Sequence, residues 1–426
     1  MTSSPRIAGM SWLAAAGLVL AGAASAAPGE QVRSFAQREK PAVIETLRQL
    51  VAIESGSRDK EGLDRIAQVL YERLAAMGGK VEFVGPGADA VKLFDTPPQI
   101  GKAVVARWEG TGSRSFMLLA HMDTVYPRGT LARRPFRVEG SRAYGPGVAD
   151  EKGGVAVALH TLAVLERLGF RDYRKLTVVV NGDEEISTPG ARGLLSRLAA
   201  EHDFVFSCEP SPAPRDELAL VTSGIAAATI AVHGRPAHAG VNPEDGRNAL
   251  LELAHQLLAT RNLGDASLGI KFNWTVAQAG TTRNVIPDLA TASADVRVRR
   301  VADYDAIEKA FRDGVSRSQL IPDTKVEPSF ERRRPPLEAT ERSRALVKKA
   351  QAIYAELGKP LGVDDAGRGA GTDAGFAALS GKPVVVENFG LLGFGYHSPE
   401  AEYVELDSIE PRLYLLARLI MASARE

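Results

Sequence analysis

The sequence predicts an α/β core whose sheet carries helices on both faces, interrupted by an inserted α+β layer of ferredoxin-like order. Three observations lead there. Up to Ser207, apolar strand-length segments alternate with segments of helical spacing. After a Ser/Pro stretch the order changes to βαββαβ, which is complete in itself. After a second proline-containing stretch, the remaining segments read as the rest of the first body.

In order, the apolar spacing is helical over 43–50 and 63–77, and residues 103–108 and 116–120 read as strands. A helix is predicted over 154–168, then a buried strand over 176–180, a helix over 190–199 and a short strand over 204–207. The stretch from Pro210 to Pro214 reads as a linker. Within the inserted layer we expect a strand at 225–232, a helix at 248–260, strands at 272–277 and 290–298, a helix at 304–315 and a last strand at 325–330. Arg332-Arg333-Arg334-Pro335-Pro336 reads as the second linker. Beyond it come a helix at 343–357, a strand at 383–387 and an amphipathic helix at 409–421. The expected division is 27–218 and 334–426 for the core, and 219–333 for the layer.

Composition bounds the function. The chain has 426 residues and 45% hydrophobic content, enough for two domains with ample core. Lys+Arg and Asp+Glu both number 52, so net charge gives no basis for nucleic-acid or membrane-surface binding. Arg6 precedes an apolar run from Met10 to Gly22 that ends in Ala24-Ser25-Ala26. This pattern predicts a secretory signal over 1–26, cleaved before Ala27, with an uncleaved anchor as the alternative. Export would place the protein in the periplasm or outside the cell, free of the membrane. Cys208 is the only cysteine, so no internal disulfide can form.

Chemistry gathers at the ends of the core strands. The 176–180 strand runs into Asn181-Gly182 and then Asp183-Glu184-Glu185, three adjacent acids that are tolerable if solvated or if a cation holds them. The 116–120 strand runs into His121-Met122-Asp123, whose outer two residues share a face. That pair suits a metal-bound histidine steadied by a carboxylate, or simply a satisfied polar strand end. Asp150 sits in the glycine-rich loop Gly145 to Gly154, which lacks both the P-loop and the dinucleotide-binding spacing. Glycines around Asp150 allow close approach, including by two metal ions at once. Glu209 follows the 204–207 strand, and His397 lies in the loop Gly393-Phe-Gly-Tyr-His-Ser398. Each alone reads more readily as a surface or loop polar group than as a ligand. Together they repeat an acid or histidine after successive core segments, where open α/β sheets place their sites.

Taken in order, HMDTVYP, GPGVADEKGG, NGDEE, CEP, GRPAHAG, NVIP, ADVR, GTDA and GYHS resemble the co-catalytic zinc metallopeptidases of the aminoacylase and bacterial glutamate carboxypeptidase family. The likeness is greatest to the folate-hydrolysing carboxypeptidase G type. It extends over essentially all of the mature chain, and implies a zinc-peptidase core with a mixed sheet. His121, Asp150, Glu185, Glu209 and His397 match the zinc ligands, with Asp150 bridging two Zn2+ per subunit, His121 and Glu209 on one ion, and Glu185 and His397 on the other. Such nitrogen and oxygen donors suit zinc, with cobalt or manganese as substitutes. Glu184 matches the catalytic carboxylate and Asp123 the group that orients His121; Asp183 matches no role.

The resemblance further implies a homodimer through the inserted layer, with His238 reaching the other subunit's site to stabilise the oxyanion. Asn284 and Arg297 match contacts to the substrate's C-terminal residue. Arg334, Gly371 and Thr372 are weaker members of that set, Arg334 being alternatively a solvated surface arginine. His160, His202, His233 and His255 match no motif position and read as structural. The implied activity is amide hydrolysis releasing a C-terminal amino acid, glutamate above all, from folate-like or other N-acyl substrates, small molecules or short peptides. An aminoacylase or dipeptidase of the same fold is the alternative. A catalytically silent zinc-binding module is another, disfavoured because binding alone does not need Glu184. No GxSxG elbow supports a serine hydrolase.

Overall fold

The computed structural model describes residues 1–2 and 28–425; the secretory signal expected over 1–26 lies, beyond its first two residues, outside them. The core elements are α1 (Pro28–Val51), α2 (Lys60–Ala76), β1 (Lys80–Val84), β2 (Ala103–Glu109), β3 (Ser115–His121), α3 (Lys152–Arg167), β4 (Lys175–Asn181), α4 (Arg192–Ala200) and β5 (Phe204–Ser207). The inserted layer comprises β6 (Gly224–His233), α5 (Ala249–Ala259), β7 (Lys271–Ala279), β8 (Leu289–Val298), α6 (Asp303–Ser316) and β9 (Lys325–Arg334). The chain then returns to the core with α7 (Glu341–Ala355), β10 (Val384–Val386) and α8 (Ile409–Ser423).

The core sheet runs β1-β2-β4-β3-β5-β10. From β4 to β10 the neighbours are parallel, while β1-β2 and β2-β4 are antiparallel, so the sheet is mixed as expected. Its side chains alternate between two apolar clusters. Leu118, Val178 and Phe206 face one beneath α1, α2, α3, α7 and α8, and Met117, Val179 and Val205 face another beneath α4 and the short helix Ala374–Ala378. Burial on both faces explains why these strands read as continuous apolar runs. Because β4, β3, β5 and β10 are parallel, their carboxyl ends share one edge, and every strand-end acid or histidine named above is delivered to it.

The inserted layer is an antiparallel sheet in the order β7-β8-β6-β9, with its own core under α5 and α6. Residues of β6 alternate between buried and half-buried up to the exposed His233 at its end. Its inner face packs on the helices and its outer face looks across a cleft toward the core sheet edge.

Four features depart from expectation. Helix α1 starts at Pro28 and runs through Pro41, which apolar periodicity alone reads as a helix from residue 43. Strand β1 leaves no apolar pattern in the sequence, because as an edge strand it is largely exposed and lacks a buried face. Ser211–Pro212 and Glu217–Ala219 pair with Leu392–Phe394 and Gly362–Asp364, so the Ser/Pro stretch read as a linker belongs to the core. Arg332, Arg333 and Arg334 close β9 rather than forming a linker, and the chain leaves the layer only at Pro335. Among the described residues no helix is long and apolar enough to cross a membrane.

Candidate metal centre

Three residues at strand ends, His121, Glu185 and Glu209, converge with two from loops, Asp150 and His397. Asp150 points one carboxylate oxygen at each of two histidines: Oδ1 is 3.1 Å from His121 Nε2, and Oδ2 is 3.4 Å from His397 Nε2. Glu209 Oε1 lies 3.6 Å from the same His121 nitrogen, and Glu185 Oε2 lies 3.3 Å from that of His397. Asp150 therefore stands between two donor groups, one with His121 and Glu209 and one with Glu185 and His397.

The donors fit divalent cations. Burial, and then the Asp150 charge, pushes the Glu185 carboxyl up to about 7. Burial, followed by Glu151 and Asp150, raises Glu209 well above the carboxylate range. Glu185 Oε1 is buried with no protein partner. A cluster of mutually repelling, desolvated carboxylates with a spare buried oxygen is what a cation relieves. The geometry also admits Glu184, whose carboxylate groups with His121 and Glu209.

Other residues hold the donors in place. Asp123 Oδ1 lies 3.3 Å from His121 Nδ1, and its two oxygens accept the backbone N–H groups of Glu184 (3.1 Å) and Glu185 (3.0 Å). His121 Nδ1 hydrogen-bonds the Asp123 backbone carbonyl at 3.1 Å with the carboxylate just beyond, so Asp123 steadies a histidine on β3 and the acid turn after β4 together. Asp183, which motif matching left without a role, is fully buried. Its Oδ2 accepts the N–H groups of Gly190 (2.6 Å) and Ala191 (3.1 Å), which anchors the acid turn to the start of α4.

Two supporting acids escaped the sequence reading. Glu402 accepts the N–H groups of Ala149 (2.9 Å), Asp150 (3.1 Å) and Gly147 (3.0 Å) and so shapes the loop that aims Asp150. Glu151 is buried, and its Oε2 accepts the His121 N–H at 2.9 Å. A Cβ at Gly154 would stand 2.0 Å from the Cys208 carbonyl, so the double glycine lets α3 begin hard against β5. Proximity of Glu151 to Asp150 in sequence was a usable signal; nothing local marks Glu402.

The centre opens into a cleft of about 860 Å³ between the core edge and the outer face of the inserted sheet, lined by Glu184, Arg297, Arg334, Gly371 and Thr372 among others. Arg334 is buried, not a solvated surface arginine. Its guanidinium holds the Glu184 carboxylate and donates to the Gly371 carbonyl at 3.0 Å, so it engages the candidate proton-transfer group rather than standing free for substrate. Arg297 donates to both oxygens of Asp295 at 2.8 Å and to the Gly369 carbonyl at 3.1 Å. Thr372 donates to the buried Glu387.

His238 and Asn284 are not brought to this cleft. They lie exposed on the ribbon formed by Ala237–His238 and Val285–Ile286, where Ala239 N–H donates to the Asn284 carbonyl at 2.9 Å. Gly240 and Val241 both donate to His238 Nδ1 at 3.1 Å, which places its ring proton on Nε2. The four histidines read as structural lie away from the cleft lining. His160 bonds Thr46 and Glu39, His202 bonds Thr177 and the Leu198 carbonyl, His233 meets Glu327, and His255 meets Ser318.

An α/β core with paired nitrogen and oxygen donors at its parallel-strand edge, and an antiparallel layer across a cleft, defines a metallopeptidase class. The chain belongs to peptidase family M20/M25/M40, whose family model matches residues 117–422. It is 45% identical over 383 residues to carboxypeptidase G2 of Pseudomonas sp. (strain RS-16), covering 90% of this chain and 89% of that protein. It is 28% identical over 363 residues to a succinyl-diaminopimelate desuccinylase of Gluconobacter oxydans (strain 621H), covering 80% of this chain and 90% of that protein. Among solved structures, a tripeptidase from Staphylococcus aureus shares the fold with a TM-score of 0.73 at 21% identity, covering 91% of this chain and 99% of that one. An M20 family metallo-carboxypeptidase from Sulfolobus solfataricus does so with a TM-score of 0.71 at 16% identity and the same coverage. The protein is a metal-dependent hydrolase of carboxypeptidase type.

Proposed function

We propose that this enzyme is a di-zinc carboxypeptidase that releases glutamate from folate-like or other N-acyl substrates, exported to the periplasm or beyond and working as a homodimer. The observation that carries the reading is Asp150, with one oxygen toward His121 and the other toward His397. The level of identity to carboxypeptidase G2 supports glutamate as the leaving amino acid.

His121 and Glu209 would hold one ion, Glu185 and His397 the other, with Asp150 shared. When bound, the ions supply Lewis acidity to the amide oxygen and acidity to a water. Glu184 accepts that water's proton as it attacks the amide carbon and returns a proton to the departing nitrogen. Arg334 keeps Glu184 aimed, and Asp123 fixes the turn that carries it. The oxyanion is stabilised by His238 Nε2–H of the second subunit. Asn284 from the same ribbon, with Arg297, Gly371 and Thr372, would receive the substrate's C-terminal end.

Dimer formation is supported by Leu250, Leu251 and Leu258, exposed to 47%, 49% and 61% on α5, beside β7 at the edge of its sheet. Apolar side chains and an open strand edge together favour a protein partner. The test is glutamate release from a folate analogue with and without chelator. Release that chelator stops and Zn2+ restores is expected; turnover of acetylated amino acids or dipeptides with no glutamate release would assign the enzyme to the aminoacylase or dipeptidase alternative.

A further inference from the structure

Two large apolar side chains that line the cleft are exposed among the described residues: Phe94, at 70%, and Val276, at 54%. Val276 lies on β7 opposite Ser293, which lines the same cleft. Phe94 comes from the other side, on the irregular segment between β1 and β2. The rest of the wall mixes charged groups such as Asp95, Asp295 and Arg297 with small residues such as Ala227, Ala294 and Gly369, and a large ring left open to water there is costly unless an apolar group covers it.

The ring is held in place. Leu93 is buried and its N–H donates to Thr96 Oγ1 at 2.9 Å, forming a turn with Phe94 at the tip. The Phe94 N–H donates to Glu331 Oε2 at 3.0 Å. Arg333 Nη2 bonds both oxygens of Asp95, at 2.8 and 3.0 Å, while its guanidinium carbon sits 4.9 Å from the centre of the Phe94 ring. Arg333 also donates to Ser187, two residues beyond Glu185, and is itself buried. One guanidinium thus ties the tip to the acid turn of the reacting centre and to the end of β9. Asp95 and Glu185 both border a second cavity of about 590 Å³ as well as the main cleft, so the Phe94 tip and the acid turn share the walls of both.

We propose that Phe94 is a specificity-determining platform for a planar aromatic acyl group, set in position by the Asp95–Arg333 ion pair. The guanidinium fixes the ring, and the uncovered ring surface receives the acyl group by offset stacking while Val276 offers an apolar contact from the inserted layer. This rests on the glutamate-releasing reading and adds the residue that would select an aromatic over an aliphatic acyl group.

The experiment compares two substrates with the same leaving group, N-(4-aminobenzoyl)-glutamate and N-acetyl-glutamate, in wild type, Phe94→Ala and Phe94→Trp. Binding of 4-aminobenzoate alone is measured by calorimetry in parallel. Phe94→Ala is expected to lower kcat/KM about 2- to 10-fold for the aromatic substrate only, as loss of one stacked pair requires, with Phe94→Trp restoring it. Equal loss on both substrates, or loss on neither, overturns the platform. If wild type releases glutamate from neither substrate, the glutamate reading fails. The platform is then decided by calorimetry: weaker 4-aminobenzoate binding in Phe94→Ala supports it, and equal binding overturns it.

Discussion

The metal centre and the His238 ribbon are built on opposite plans. At the centre the polar groups, all but the exposed His397, are buried or half-buried and mutually engaged: Asp123 serves His121, Glu184 and Glu185, Glu402 holds the Asp150 loop, and Arg334 holds Glu184. On the ribbon, His238 and Asn284 are exposed, and His238 has one ring nitrogen locked and the other free to donate. The first region gathers its donors and their supports within one chain. The second presents a donor with nothing in its own cleft to receive it, which makes sense for a group that finishes a neighbour's site.

The sharpest way to break that contrast is to remove a single function from the centre while leaving its scaffold. Glu184→Gln should lower kcat on the order of 10²- to 10⁴-fold with metal content unchanged by elemental analysis. Glu185→Ala should instead lose metal. If Glu184→Gln also loses metal, the grouping of Glu184 with His121 and Glu209 is a ligand set and the two glutamates exchange roles.

On the ribbon, His238→Ala should cost about 100- to 1000-fold in kcat, as removal of an oxyanion donor does. Metal content should not change, because His238 is remote from the donors. Mixing inactive Glu184→Gln and His238→Ala proteins and letting subunits exchange should restore up to about a quarter of wild-type activity, since half the dimers carry one site with both groups intact. Activity that stays at background after exchange would mean His238 acts within its own chain or not at all.

What could be read in advance follows the same contrast. His121, Asp150, Glu185, Glu209 and His397 were legible because each sits at the end of a buried apolar run or in a glycine-rich turn, where composition changes abruptly. Their supports were not. Glu402 reaches the Asp150 loop from the far end of the chain, and Asp183 acts through backbone groups several residues ahead. Arg334 could not be told from a surface arginine, because three arginines before two prolines look like a solvated linker until β9 is seen to bury the last two of them. Strand β1 and the Ser211–Pro212 pairing were hidden for a related reason: edge and two-residue strands bury too little to leave a pattern.

The smallest expected effect tests whether the body's buried polar groups are closed in the way its centre suggests. His202 lies under the core sheet, with Nδ1 at 2.6 Å from the Leu198 carbonyl and Nε2 at 2.8 Å from Thr177 Oγ1. Burial, opposed by the Leu198 hydrogen bond, pushes its pKa down to about 4 from the usual 6.5. The native ring is neutral, so between these values the unfolded chain binds more protons and acid favours unfolding; the stabilisation is fully present above the unfolded value and lost as pH falls through the window. Lowering the pH from 7 to 5 should therefore cost wild type up to about 2 kcal/mol that His202→Gln does not lose, as read from urea unfolding at both values. An identical pH response in the two proteins would mean that the ring takes up its proton in place, and that the body beneath the centre admits charge its hydrogen bonds do not require.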